Sequence, residues 1–255
     1  MKRRLMMFAA VLAVIAVLVA LNYFQPQRLT ASTIEESTTL QKRLDAEPQP
    51  GQTTEEQIVA QSETKSVAPD KQEAEPLVVP DVFKVKFQCS NGDFVVEAHK
   101  GWAPNGVTRF LELVKMGYFN GCRFFRVVTR PKPFVVQWGI PGDPELAKEW
   151  WNKTIPDDTV KQSNVAGMVT FAAGRAPNSR STQLFINLGN NKFLDGMGFA
   201  PIGKVVEGME VVKKFNDHYQ EAPTNDQINI MNKGNEWVEK QFPGLDYIKT
   251  AKVVE

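Results

Sequence analysis

The sequence predicts a mainly β fold: a closed, mostly antiparallel barrel capped by helices and preceded by an N-terminal transmembrane helix. Three observations carry this. From Val79 onward the chain is a series of short β-like runs separated by loops rich in Gly, Pro, Asn and Asp, the pattern of sandwiches and barrels. Only two or three helical patterns interrupt those runs. Ahead of them all stands Leu5–Leu21, a stretch without a polar residue.

Taken in order, the chain opens with Lys2, Arg3 and Arg4 before that apolar run, and Tyr23 and Phe24 follow it. An uncleaved span needs ~17–25 apolar residues, with aromatic residues at the interface. A cleaved signal peptide is the alternative, but cutting after Ala20 would leave Leu18 where a small residue is wanted. Residues 1–24 are therefore read as a signal anchor. The basic end stays cytoplasmic and the rest is exported, making a single-pass membrane-anchored protein. Residues 25–78 contain no aromatic residue and ten acidic against five basic residues. Such a segment buries too little apolar area to offset its ordering entropy, so it is read as a disordered linker. That leaves 22 basic and 19 acidic residues from Val79 on.

The folded domain, 79–255, begins with "FKVKFQC", "SNGD" and "FVVEAH", an alternating pair around an Asn-Gly turn that reads as a hairpin. In "APNGVTRFLELVKMGYF", Val107, Phe110, Leu111 and Val114 make one apolar helical stripe, and Gly117 supplies the stop. The strand-like runs "RFFRVV", "FVVQWG", "GMVTFAA", "TQLFIN" and "APIGKVV" follow. Residues 207–215 read as a second helix, "NEWVEKQF" as a third ending at Pro243, and "YIKTAKVV" as a closing strand.

Composition excludes several function classes. A net charge of +1 argues against nucleic-acid binding. Two histidines, His99 and His218, and two cysteines, Cys89 and Cys122, without HExxH or paired CxxC spacing, point to no metal and no cofactor. The cysteines either form one disulfide or are two buried thiols. "NKT" at 152–154 is a glycosylation sequon, which matters only in a eukaryotic secretory pathway, and Asp195 reads as a turn former.

One residue stands out. As a strand, 123–128 puts Phe124, Arg126 and Val128 on one face and Arg123, Phe125 and Val127 on the other. A guanidinium among apolar side chains is either an ion pair or snorkelled stem at a barrel edge, or a chemical group. Arg123, on the opposite face, is read as solvated.

The ordered set "FFRVV", "PFVVQWG", "STQLFIN" and "FLDGMGFAPIGKVVEGMEVV" resembles the cyclophilin-type peptidyl-prolyl isomerases over about 82 to 255, nearly all of the folded part. The resemblance implies an eight-stranded β-barrel capped by helices. The ending "FPGLDYIKTAKVV" resembles a branch with a C-terminal extension. It also implies prolyl isomerisation, with proline-containing polypeptides as substrates. The family's catalytic arginine maps onto Arg126 and the orienting glutamine onto Gln137. The proline slot maps onto Phe134, Phe185 and Leu194 with Val135 near it, Gln183 beside it, and Ala172 or Ala173 along the substrate backbone. Several positions depart from the family. Phe125 replaces a His, "RVVTRPKPF" is three residues longer between Arg126 and Phe134, Phe193 replaces a Trp, and "GMGF" puts Gly198 or Phe199 where a His lines the slot. Weak cyclosporin binding at most is expected. The reading is a monomeric, membrane-tethered isomerase assisting protein folding. The altered loop 129–133 and the missing His motivate a rival, a low-activity proline-peptide binding or scaffold module. An accessory subunit of a membrane complex is a third reading.

Overall fold

The structure, a computed structural model, describes residues 77–255. The expected anchor and nearly all of the expected linker lie outside the described residues. Among the described residues no helix is long and apolar enough to cross a membrane. Leu77 and Val79 already pack against the core, so the folded part begins at the last two positions assigned to the linker.

Strands β1 (Val82–Cys89) and β2 (Gly92–His99) form the expected hairpin, paired from Val82↔His99 to Cys89↔Gly92. The turn centres on Ser90 and Asn91, with Gly92 at positive φ just after it. Alternation sends Phe83, Val85, Phe87 and Cys89 into the core. Phe87 and Phe94 stack there with centroids 4.7 Å apart. Helix α1 (Pro104–Lys115) lays the predicted stripe on that core, and Gly117 ends it at φ +72°.

The other strands are β3 (Arg126–Val127), β4 (Val135–Trp138), β5 (Met168–Phe171), β6 (Leu184–Asn187), β7 (Pro201–Glu207) and β8 (Ile248–Val254). They complete one eight-stranded sheet in the order β3-β4-β6-β5-β7-β2-β1-β8, with antiparallel pairings. The expectation of a closed barrel is corrected here. β3 and β8 are the two edges and do not pair with each other. The curled sheet is spanned instead by a single bridge, Arg123↔Tyr247, with backbone bonds from Gly121 to Ile248 (2.8 Å), Ile248 to Cys122 (3.0 Å) and Phe124 to Asp246 (2.9 Å). β3 is too short to make a ladder there. The C-terminal run is part of this sheet, since β8 pairs with β1 along most of its length.

The reading of 123–128 as one regular strand is also corrected. Phe124 and Val127 both enter the main core, while Phe125 enters a second cluster with Ile140, Ala147, Ile230, Val238 and Leu245. Alternation therefore breaks before Arg126, which does not share a face with Phe124. Arg123 is not solvated: it pairs with Glu239 and lies 4.3 Å over the Tyr247 ring.

Two helices differ from expectation. Helix α2 (Pro144–Trp151) was not predicted, although Asp143 caps it by accepting from the Glu145 N–H and Pro144 starts it. The region 207–215 holds only a short α3 (Met209–Val212), while α4 (Gln227–Gln241) begins well before the predicted 235–242. Its two halves meet at Gly234 (φ 65°), where a Cβ would stand 2.3 Å from the Gly142 carbonyl oxygen. That close approach lets α4 pack on the loop before α2. Cys89 and Cys122 are free, buried thiols. Ile248 lies between them, paired with Cys89 and bonded to Cys122, which answers the disulfide question.

Candidate active site

The register across β3, β4 and β6 builds the site. Arg126 pairs with Gln137, and Gln137 with Phe185, so the three side chains line up on one face of the sheet. The opposite face of the same strands, Val127, Val136, Trp138, Leu184 and Ile186, belongs to the main core. Alternation thus separates the site from the core residue by residue.

Val135, Phe185 and Leu194 form a small buried cluster, with Phe134, Ala172 and Phe199 packed on it. They line a pocket of about 220 Å³ together with Arg126, Gln137, Ala173, Thr224 and Gln227. Phe199 meets Phe185 edge-on at 5.9 Å, so it occupies the wall where the sequence lacks a histidine. Both alanines left open by the register line this pocket. They also line an adjoining cavity of about 390 Å³, where Gln183 lies. Of the predicted residues, Phe193 is the one that lines neither of these two cavities. It stands 60% exposed and stacks on the outer side of Phe134, 6.0 Å between centroids.

The turn carrying Leu194 (Lys192–Met197) is fastened from below. Asp195 accepts from the Ser163 hydroxyl (2.5 Å) and from the Asn164 backbone and side chain (2.8 Å each). Burial alone would raise its pKa; those hydrogen bonds outweigh it and hold the carboxyl below the ordinary range. Asn191, bonded to Asn187 and to the Phe134 carbonyl, ties the same turn to β4 and β6. Asp195 is a structural anchor, in keeping with the turn reading.

Arg126 sits at the pocket mouth, its guanidinium 5.3 Å from the Phe134 ring centroid. Nη1 donates to Gln137 Oε1 at 3.0 Å, and Gln137 Nε2 donates to Gln183 Oε1 at 2.8 Å. Nη2 donates to both oxygens of Glu221 at 2.9 Å. Nε is buried and has no partner among the described residues. An apolar slot with an always-charged donor at its lip suits a ring attached to an amide.

The sequence reading missed Glu221, Thr224 and Gln227. They come from a 3-10 turn, Ala222–Asp226, and the start of α4. Nothing local marks Glu221 and Gln227, because they meet Arg126 and Gln183 far away along the chain.

Comparison with known proteins now decides the family. The family model described as "Cyclophilin type peptidyl-prolyl cis-trans isomerase/CLD" matches residues 84–235. The chain belongs to the cyclophilin-type peptidyl-prolyl cis-trans isomerases. Its domain is 31% identical over 160 residues to "Peptidyl-prolyl cis-trans isomerase B" of Escherichia coli (strain K12), covering 56% of this chain and 94% of the relative. It is 32% identical over 139 residues to human "Peptidyl-prolyl cis-trans isomerase-like 3", covering 53% and 81%. Among solved structures, a Cryptosporidium parvum cyclophilin-type isomerase superposes with a TM-score of 0.49 at 19% identity, covering 68% of this chain and 98% of that one. Within this cyclophilin domain, the predicted Arg126, Gln137, Phe134, Val135, Phe185 and Leu194 converge on one pocket.

Proposed function

We propose that this cyclophilin accelerates cis–trans rotation of X–Pro bonds in proteins held near a membrane, and so assists their folding. The observation that carries the reading is Arg126 lining an apolar slot with its guanidinium held by Gln137 and Glu221 and its Nε–H without a partner among the described residues.

The chemistry follows from the amide. Resonance through the nitrogen lone pair sets a barrier of ~18–20 kcal/mol and uncatalysed times of tens to hundreds of seconds. A prolyl ring seated among Phe134, Phe185, Leu194 and Phe199 brings its nitrogen to the Arg126 side of the pocket. A donor directed at that nitrogen is favoured when the bond is twisted and the lone pair localised, and disfavoured when it is planar. The interaction strengthens toward the transition state, which is what lowers a barrier. Arginine does this with no change of protonation.

The membrane part of the reading rests on Lys2, Arg3 and Arg4 followed by the apolar run Leu5–Leu21. It makes the chain a single-pass protein with a cytoplasmic N-terminus and an exported cyclophilin domain. Clients are proline-containing polypeptides. Phe193, turned outward, argues for weak cyclosporin binding at most.

The test is NMR exchange on a short X-Pro peptide with the full-length protein and with Arg126→Ala. The expected result is enhanced exchange, reduced about a hundredfold or more by the substitution, as when one preorganised donor is removed from a transition state. Peptide binding without enhanced exchange would instead establish a proline-recognition module.

A further inference from the structure

Two segments near Arg126, the loop after β3 and the stretch before α4, are joined to each other and to the arginine. The join begins at Arg126, which can only donate hydrogen bonds. Nη1 gives one to Gln137 Oε1 (3.0 Å), Gln137 Nε2 to Gln183 Oε1 (2.8 Å), and Gln183 Nε2 to Gln227 Oε1 (2.8 Å). Gln227 Nε2 ends the line on the Thr224 backbone carbonyl (3.3 Å), which can only accept. With an obligate donor at one end and an obligate acceptor at the other, a single orientation of the three amides satisfies every bond. Both ends impose the same orientation, so Gln227, through Gln183, holds in place the amide that accepts from Arg126.

The same short segment returns to the arginine directly. Glu221, six positions before Gln227, places both carboxylate oxygens 2.9 Å from Nη2. Its side chain is 55% exposed, so the pair contributes little binding energy. What it does contribute is direction: it engages Nη2 through both carboxylate oxygens, fixing the plane of the guanidinium, and the buried Nε–H has no partner among the described residues.

The segment is in turn moored by the longer loop. Gln220 Oε1 accepts the backbone N–H groups of Thr129 (3.0 Å) and Arg130 (3.3 Å). The Thr129 hydroxyl donates to Asp217, and Gln220 Nε2 donates back to that hydroxyl oxygen at 3.2 Å. Pro223 is buried just beyond.

We propose that residues 217–227 form a brace that orients Arg126, with Glu221 and Gln227 as positioning residues and Thr129–Arg130 as its mooring. The inference rests on the isomerase reading, and it gives the loop insertion a supporting role in place of a disruptive one.

The experiment measures kcat and KM for an X-Pro peptide by NMR exchange on the full-length protein. Glu221→Ala, Gln227→Ala and Gln220→Ala are each made alone and in an Arg126→Ala background, and the Arg126 Nε–H signal is recorded in every sample that keeps the arginine. Misplacing a reacting group by a fraction of an ångström is expected to lower kcat about tenfold in the Glu221 and Gln227 variants, with KM within about twofold. Neither change should matter once Arg126 is gone, and Glu221→Gln, which keeps an acceptor, should recover part of the loss. The Arg126 Nε–H signal should broaden in all three variants. Unchanged kcat, or the same fold-loss in the Arg126→Ala background, would overturn the brace. If the wild-type protein does not accelerate exchange, the isomerase reading fails by itself, and the Nε–H signal then decides the brace: a signal unmoved by Glu221→Ala and Gln227→Ala refutes it.

Discussion

Removing the carboxylate of Asp158 should destabilise the domain more than most single changes. Asp158 and Arg180 are both 2% exposed, and Arg180 Nη1 donates to Asp158 Oδ2 at 3.0 Å. The same carboxylate accepts the backbone N–H groups of Asn105 (3.0 Å) and Gly106 (2.8 Å) in the first turn of α1. Ala103, at the N-cap position, offers no side-chain bond, so a residue more than fifty positions away caps the helix. Space is tight as well: a Cβ on Gly106 would lie 2.8 Å from the Ile202 methyl. Asp158→Ala would leave the buried guanidinium only the partly exposed Asp157 carboxylate, 3.3 Å from its Nε, and would strip two N–H groups of α1 of their acceptor, a loss of about 3–5 kcal/mol. For a domain of this size, that is about 6–20 °C in Tm. Urea unfolding followed by tryptophan fluorescence, with calorimetry, gives both numbers. Removing both charges together, as Asp158→Leu with Arg180→Met, should recover a large part of the loss, because no unpaired charge then stays buried. A loss below about 1 kcal/mol for Asp158→Ala would refute the argument, since it would mean the pair is not desolvated as its burial implies.

Two further outcomes follow from titration. The hydrogen bond from Thr129, helped by Arg130 and Gln220, holds the Asp217 carboxyl below its ordinary pKa, against burial. A depressed folded-state pKa means the stabilisation is present above the unfolded value and is lost as pH falls through the folded one. The mooring of the 129–130 loop should therefore persist through neutral pH and release only in acid, and a carboxyl NMR titration should show the Asp217 midpoint rising toward the ordinary carboxylate range in Thr129→Val. Burial, reinforced by Asp93 and Asp246, pushes the Cys89 thiol up to about 12, and burial pushes Cys122 up as well. Neither should react with a thiolate-selective reagent in the native protein, and both should react after unfolding; reaction of either in the folded state would contradict the packing.

The hairpin and the stripe of α1 were legible in the sequence because each is written in neighbouring residues, whereas Arg126 and Gln137 were singled out by the family resemblance. Alternation and 3.6-residue spacing are local signals, and the ordered motifs around them identified the family. Other features escaped for physical reasons. α2 has only eight residues, too short for periodicity to stand out, although its Asp-Pro start was visible. α4 is interrupted by Gly234, which reads as a stop because nothing local reveals that the Gly142 carbonyl fills the space beside it. The strand 123–128 looked regular, yet the break that turns Phe124 inward and frees Arg126 is imposed by two clusters competing for Phe124 and Phe125.

By itself, then, the sequence determined a β-rich domain and its family, since these follow from side-chain alternation and from motifs a few residues long, and through the family resemblance it pointed to residues that the fold brings to one pocket. Only the tertiary structure decided that the sheet stays open between β3 and β8, that Arg123 is paired, and that Arg126 is held by Glu221. The last two depend on groups 116 and 95 positions apart, where the chain's return path fixes which donor meets which acceptor. Chain proximity carries no information about such meetings. Burial and hydrogen-bond satisfaction do, and they exist only once the chain has folded.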